Sequence, residues 1–192
     1  MNRKLIRIVT AGVVSCTALG GTLAWAGSSN GDAAEIALFE KAGQDIKSAV
    51  ASAEKASGGQ AVGAAFAEKN GEAMWEIETV TGTKVSEVKI NATTGALVTQ
   101  KDKDAADDEH EGATPDKLGA PLADLVTKAE ATSGGKVMAI GFDEEKGKIK
   151  GIEVEIVKNG ALETFTLDAT SGKLTPAIET GNGQDEADEG AN

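Results

Sequence analysis

Apolar and polar positions follow one order twice along this chain. From Ala33 to Ser57 the apolar residues fall at Ile36, Phe39, Ile46, Val50 and Ala53, which puts a single stripe on a helix. Gly43 is placed to bend or divide that helix, and Gly58-Gly59 to end it, because glycine takes the left-handed conformation of a C-cap. Gln60 to Glu68 suits a helix or a strand, but its counterpart Lys136 to Phe142 reads as a strand. Period-two alternation then predicts strands over Ala73–Thr81 and Ile149–Val157. Trp75, Ile77, Ile152 and Val154 should point to the core, and Glu76, Glu78, Glu153 and Glu155 outward. Third strands follow at Val85–Asn91 and Leu162–Asp168, with Val88, Ile90, Phe165 and Leu167 inward, and short last strands at Ala96–Thr99 and Lys173–Thr175. Asn70-Gly71, Gly82, Lys146-Gly147 and Asn159-Gly160 supply the turns. The second helix starts at Thr114-Pro115, is interrupted at Pro121, and carries the stripe Leu122, Leu125, Val126 and Ala129.

The repetition extends to particular residues. Asn91-Ala92-Thr93-Thr94-Gly95-Ala96-Leu97 returns as Asp168-Ala169-Thr170-Ser171-Gly172-Lys173-Leu174, displaced by 77 positions. Ala53-Glu54 and Ser57-Gly58-Gly59 match Ala129-Glu130 and Ser133-Gly134-Gly135, displaced by 76. A near-constant displacement over whole supersecondary units predicts an α+β protein of two tandem repeats. Each would be an N-terminal helix on a three- to four-stranded antiparallel sheet, spanning 33–100 and 114–178. An acidic linker at 101–113 and a disordered acidic tail at 179–192 complete the expected division. Two such units have little surface to bury, so two Ile/Val/Leu/Ala cores packed against each other are expected.

Residues 1–26 read as a secretory leader. Arg3, Lys4 and Arg7 precede an apolar run from Ile8 to Leu23, and Ala24-Trp25-Ala26 offers small residues for cleavage after Ala26. Lipoprotein anchoring through Cys16, the only cysteine, is a weaker reading because Arg7 lies close to it. Export predicts a periplasmic or extracellular protein with no integral membrane segment after cleavage, and with a polar stretch, Gly27–Asp32, at its start. The exported chain has sixteen lysines against 31 acids, a net charge of −15. That balance argues against nucleic acid and anionic lipid as partners.

Candidate chemistry is sparse. The exported chain keeps one histidine, His110, inside the charged linker, and no cysteine, which argues against Ser-His-Asp and Cys-His arrangements and leaves no His/Cys zinc site to build. Gly58-Gly59 and Gly134-Gly135 follow helices and read as caps, not phosphate cradles. The linker acids Asp102, Asp104, Asp107, Asp108, Glu109 and Glu111 lack the order and central glycine of an EF-hand. Asn91 and Asp168, with Gly95 and Gly172, have the residue types of a structural Asx-turn. No cofactor, metal site or catalytic residue is predicted.

These features together resemble the PepSY family. The shared pattern is an Ala-rich helix ending in Gly, a strand, an alternating strand like Trp75-Glu76-Ile77-Glu78-Thr79-Val80, and a strand running into Asp168-Ala169-Thr170-Ser171-Gly172-Lys173-Leu174. Asn91 replaces the usual Asp in the first copy. The resemblance covers residues 40 to 99 and 117 to 176. It implies a helix against an antiparallel sheet, and a non-enzymatic module that restrains peptidases or mediates protein contacts outside the cytoplasm. Tandem units are also similar to the β-lactamase inhibitory protein, but this chain has no tyrosine and one tryptophan after the leader, so an aromatic-rich binding surface is not expected. The expected function is an exported protein-binding module that inhibits or modulates an envelope peptidase, with Glu76, Glu78, Glu153 and Glu155 as its binding residues on a free sheet face. The alternative is an extracytoplasmic small-ligand or calcium binder.

Overall fold

The structure, a computed structural model, describes residues 4–5, 29–69, 71–104, 113–145 and 148–177. The acidic tail, most of the leader and residues 105–112 of the linker, His110 among them, lie outside the described residues, as does the turn expected at Lys146-Gly147. The elements in order are β1 (Lys4–Leu5), α1 (Ser29–Glu40), α2 (Ile46–Ser57), β2 (Gln60–Lys69), β3 (Glu72–Thr81), β4 (Lys84–Asn91) and β5 (Leu97–Asp104). They continue as α3 (Pro115–Leu118), α4 (Leu122–Ser133), β6 (Lys136–Glu145), β7 (Lys148–Lys158), β8 (Ala161–Leu167) and β9 (Leu174–Pro176).

The first helical segment is divided where Gly43 predicted. Asp45 then starts α2 afresh, accepting a 2.7 Å hydrogen bond from the Ser48 backbone N–H. A side chain at residue 43 would stand 2.8 Å from the Thr93 carbonyl oxygen, which explains the glycine. The helical start at Ser29 is earlier than Ala33, and takes in part of the polar stretch Gly27–Asp32. Pro115 and Pro121 divide the second helical segment into α3 and α4 as expected. Both α2 and α4 end on a left-handed glycine, Gly58 or Gly134, whose N–H donates to Glu54 O or Glu130 O.

All strand pairs are antiparallel and join into one sheet in the order β5-β4-β3-β2-β6-β7-β8-β9, with β1 paired to the end of β6. Helices pack on one face. The two halves therefore do not build two separate sheets and cores. Ile46, Val50, Trp75 and Val88 share one buried cluster with Leu125, Val126, Phe142 and Val154. The physical reason lies in the β2–β6 junction, where Ala64 pairs with Ile140 and Ala65 with Ala139. Two units each short of buried surface join through an open strand edge, and both edges are satisfied at once.

Ala64 and Ile140 are themselves 76 positions apart, so the junction pairs a residue with its own counterpart. Antiparallel self-pairing of this kind sets an approximate twofold axis between the halves. α2 and α4 meet across it, and Lys47 Nζ reaches Glu130 Oε2 at 3.0 Å. Trp75, Ile77, Val88 and Ile90 are fully buried as predicted, and so are Val154 and Leu167. Phe165 is half-buried at the flank of the core rather than within it, because only the short strand β9 lies beyond β8.

Candidate functional site

The sequence singled out the sheet face opposite the helices, and the register fixes what stands there. Trp75 belongs to the helix face, since its Nε1–H donates to Gln44 O at 2.9 Å and its ring meets Phe39 and Phe66 edge to face. Thr79 also belongs there, bonded to Ser57 Oγ at 2.8 Å. Glu76 and Glu78 alternate to the other side. Reading straight across the strands, one row runs Lys89, Glu76, Ala65, Ala139, Glu155, Thr164. The neighbouring row begins Lys101, Glu87, Glu78, Gly63 and ends Gly141, Glu153, Thr166. A Cβ on Gly63 would lie 4.0 Å from Gly141 Cα, which closes that row.

All four predicted glutamates are thus brought onto one face. Two rise from β3 and two from β7, with a floor of glycine and alanine from β2 and β6 between them. At about 4.8 Å per strand the two walls stand roughly 14 Å apart.

Their exposure differs from the expectation. Glu76, Glu78, Glu153 and Glu155 were read as a wet, outward row, yet each is only 5–7% exposed, and β3 is buried without interruption from Ala73 to Val80. The four stand on interior strands of a wide sheet, each flanked by side chains on both sides. For Glu76 the flank is an ion pair: Lys89 Nζ lies 2.5 Å from Glu76 Oε1 and 3.0 Å from Glu87 Oε1. Burial works to lower the Lys89 pKa, but its hydrogen bonds to Glu76 and Glu87 outweigh it and hold the ammonium above its ordinary value. Lys89 and Glu87 were not singled out from the sequence. Their signal was available, because both alternate with Val88 and so fall on the glutamate face.

The repeated turn is built as expected. Asn91 Oδ1 accepts from Thr93 N at 3.0 Å and Thr94 N at 2.9 Å, and Asp168 Oδ1 accepts from Ser171 N at 2.7 Å. Gly95 and Gly172 hold φ of 74° and 72°. The hydrogen bonds from the Ser171 backbone and hydroxyl lower the Asp168 pKa. Each turn is also tied to a helical segment. Gln44 N donates to Ala92 O at 2.9 Å, Lys128 Nζ to Ala169 O at 2.6 Å, and Thr132 Oγ1 to Gly172 O at 3.0 Å. These bonds give Asn91, Gly95, Asp168 and Gly172 a structural task. Glu54 and Glu130, matched in the sequence but given no role, accept from the first strand's N–H at Ala61 (3.0 Å) and Val137 (3.4 Å).

Among the described residues no group of His, Cys, Asp or Glu is arranged to hold a metal ion. Nor does any described helix have the length and apolarity to cross a membrane. A half-open cleft of about 480 Å³ lies where the start of α2 meets the end of α4, floored by Phe39 and Trp75 and rimmed by Asp45, Lys47, Glu130 and Lys136. Its walls offer no nucleophile beside a base.

Fold and site together define an α+β protein with helices on one antiparallel sheet and a carboxylate-lined second face. Residues 44–101, from the residue before the α2 cap into β5, match the model of the PepSY family, the peptidase propeptide and YPEB domain. No catalytic family is indicated. No curated protein matches the chain. One similar solved structure is a candidate lipoprotein from Clostridium difficile 630, at 14% identity and a TM-score of 0.37, over 64% of this chain and 83% of that one. A likeness that slight carries no argument.

Proposed function

We propose that this is an exported, non-enzymatic binding module of the cell envelope, and that its partner is an envelope protein, with a peptidase it restrains as the leading class. The observation that carries this reading is the PepSY domain at 44–101, whose family is described by its place in peptidase propeptides. The basic, apolar leader that ends at Ala24-Trp25-Ala26 supports export. We infer further that residues 114–178 are a second PepSY-like unit. The match ends at residue 101, but the second half repeats the order of a helix followed by four antiparallel strands, and pairs with the first through equivalent residues.

The recognition element in this reading is the pair of carboxylate walls, Glu76 with Glu78 and Glu153 with Glu155. A basic segment of the partner would lie over the glycine and alanine floor and add cations to a face whose two central rows hold Lys89 and, opposite Glu87, Lys101. Such an encounter is fast and salt-sensitive.

The test is capture from an envelope extract at low and high ionic strength, using the exported chain and a variant with all four glutamates changed to glutamine. Recovery of a peptidase by the wild type at low salt, reduced by salt and by the substitutions, is the expected result. Equal recovery by both proteins at both ionic strengths removes the carboxylate walls from the account. No protein captured, together with a calcium-dependent rise in melting temperature, replaces the reading with a cation binder.

A further inference from the structure

The sheet has two outer edges, and they are finished differently. β9 is three residues long and ends at Pro176, which stands opposite Phe165. β5 is eight residues long, and the place opposite Val88, the counterpart of Phe165, is held by Gln100. Proline has no N–H and stops further strand pairing, and a short strand limits it as well. In β9 the residue after the proline turns its N–H inward, with Ala177 N donating to Thr164 O at 3.0 Å. The group missing at Pro176 is therefore the outward one, and Gln100 retains it.

β5 is also where the large apolar residues come to the surface. Leu97 and Val98 are 52% and 47% exposed. Lys101 is exposed three residues further on, while Asp102 is engaged by Ser86 Oγ at 2.8 Å. Among the described residues no strand lies beyond β5, so an unpaired backbone ladder, an aliphatic step and a cation follow one another along a single edge.

We propose that the outer edge of β5 receives an extended segment of the partner protein as an added antiparallel strand, with an aliphatic residue beside Leu97 and Val98 and a carboxylate beside Lys101. This rests on the binding-module reading and names a contact of that partner. A second copy of the chain fits poorly. Antiparallel self-pairing centred on Gln100 or on Lys101 sets Val98 against Asp102 or Asp104, and the second register also sets Lys101 against itself.

The probe is a blocked eight-residue peptide alternating valine and glutamate, titrated into the ¹⁵N-labelled exported chain, with a proline-centred peptide as control. Shifts confined to β5 and slowed amide exchange at Val98, Gln100 and Asp102 are expected, with none from the control. Gln100→Pro, which copies the finish of β9, should weaken binding at least tenfold with the melting temperature little changed. Lys101→Glu should weaken the valine–glutamate peptide and favour its valine–lysine analogue, and it carries the test should Gln100→Pro not fold. Binding unchanged in both variants, shifts elsewhere on the sheet, or concentration-dependent dimerisation without peptide binding each overturn the proposal. Capture of the envelope partner by both variants as well as wild type would overturn the edge alone and leave the binding-module reading in place.

Discussion

Lys89 is the residue on which the glutamate face turns. It bonds Glu76 and Glu87 in a setting where all three are under a tenth exposed, so removing it leaves carboxylates close together with less to balance them. Lys89→Met should destabilise the fold by about 3 kcal/mol at neutral pH. Its effect has a predictable sign with pH. The ammonium is held above its ordinary pKa of 10.5, so its contribution is complete at neutral pH and is lost as the pH rises through the raised value. Denaturant midpoints of wild type and variant at neutral pH and above the raised Lys89 value check this, and a constant difference would contradict it. Asp45 behaves in the opposite sense. The Ser48 N–H holds its pKa below the ordinary 3.8, so its contribution is complete above that value and is lost as the pH falls through the lowered one. Asp45→Ala should cost about 1 kcal/mol at neutral pH and much less at pH 2. A loss that stays the same at both pH values would remove the charged cap from the account.

At the scale of elements, the turns after β4 and β8 join strand to helix. Gly172 has φ of 72°, and a Cβ there would lie 3.3 Å from Lys128 Cβ. Gly172→Val should therefore cost about 2 kcal/mol or more, from the left-handed backbone and the crowding together. Asp168→Asn should be mild, since Asn91 already makes the equivalent bonds. Thermal melts of the two variants distinguish these expectations, and a Gly172→Val protein as stable as wild type would contradict the turn geometry. Much of this level was legible in the sequence. Glycine and Asx residues state their backbone angles directly, and the apolar stripes of α2 and α4 state their buried faces. Phe165 shows the limit. Alternation gives the direction of a side chain but not how far the sheet extends past it, and with only β9 beyond, Phe165 is half-buried. Its truncation to Ala should cost about 2 kcal/mol, short of the cost at a fully buried site.

At the scale of the molecule, the halves are read most clearly and their union least. The displaced motifs announce two similar units, but nothing in either unit says that β2 will pair with β6, because an edge strand carries the same residues whether it meets solvent or another strand. That pairing places the glutamates on interior strands of one wide face, flanked on both sides, and it merges two expected cores into one. One sheet and one cluster should unfold as one. Trp75 fluorescence, which reports the first half, and amide exchange at Val154 and Leu167 in the second should give a single midpoint. Two separated transitions would restore independent domains. The central claim, that the exported chain acts by binding a peptidase, is tested most directly by adding it in increasing amounts to the peptidase activity of an envelope fraction. The account predicts a saturable loss of activity that is relieved by salt, and activity that stays unchanged at every concentration of the protein would contradict it.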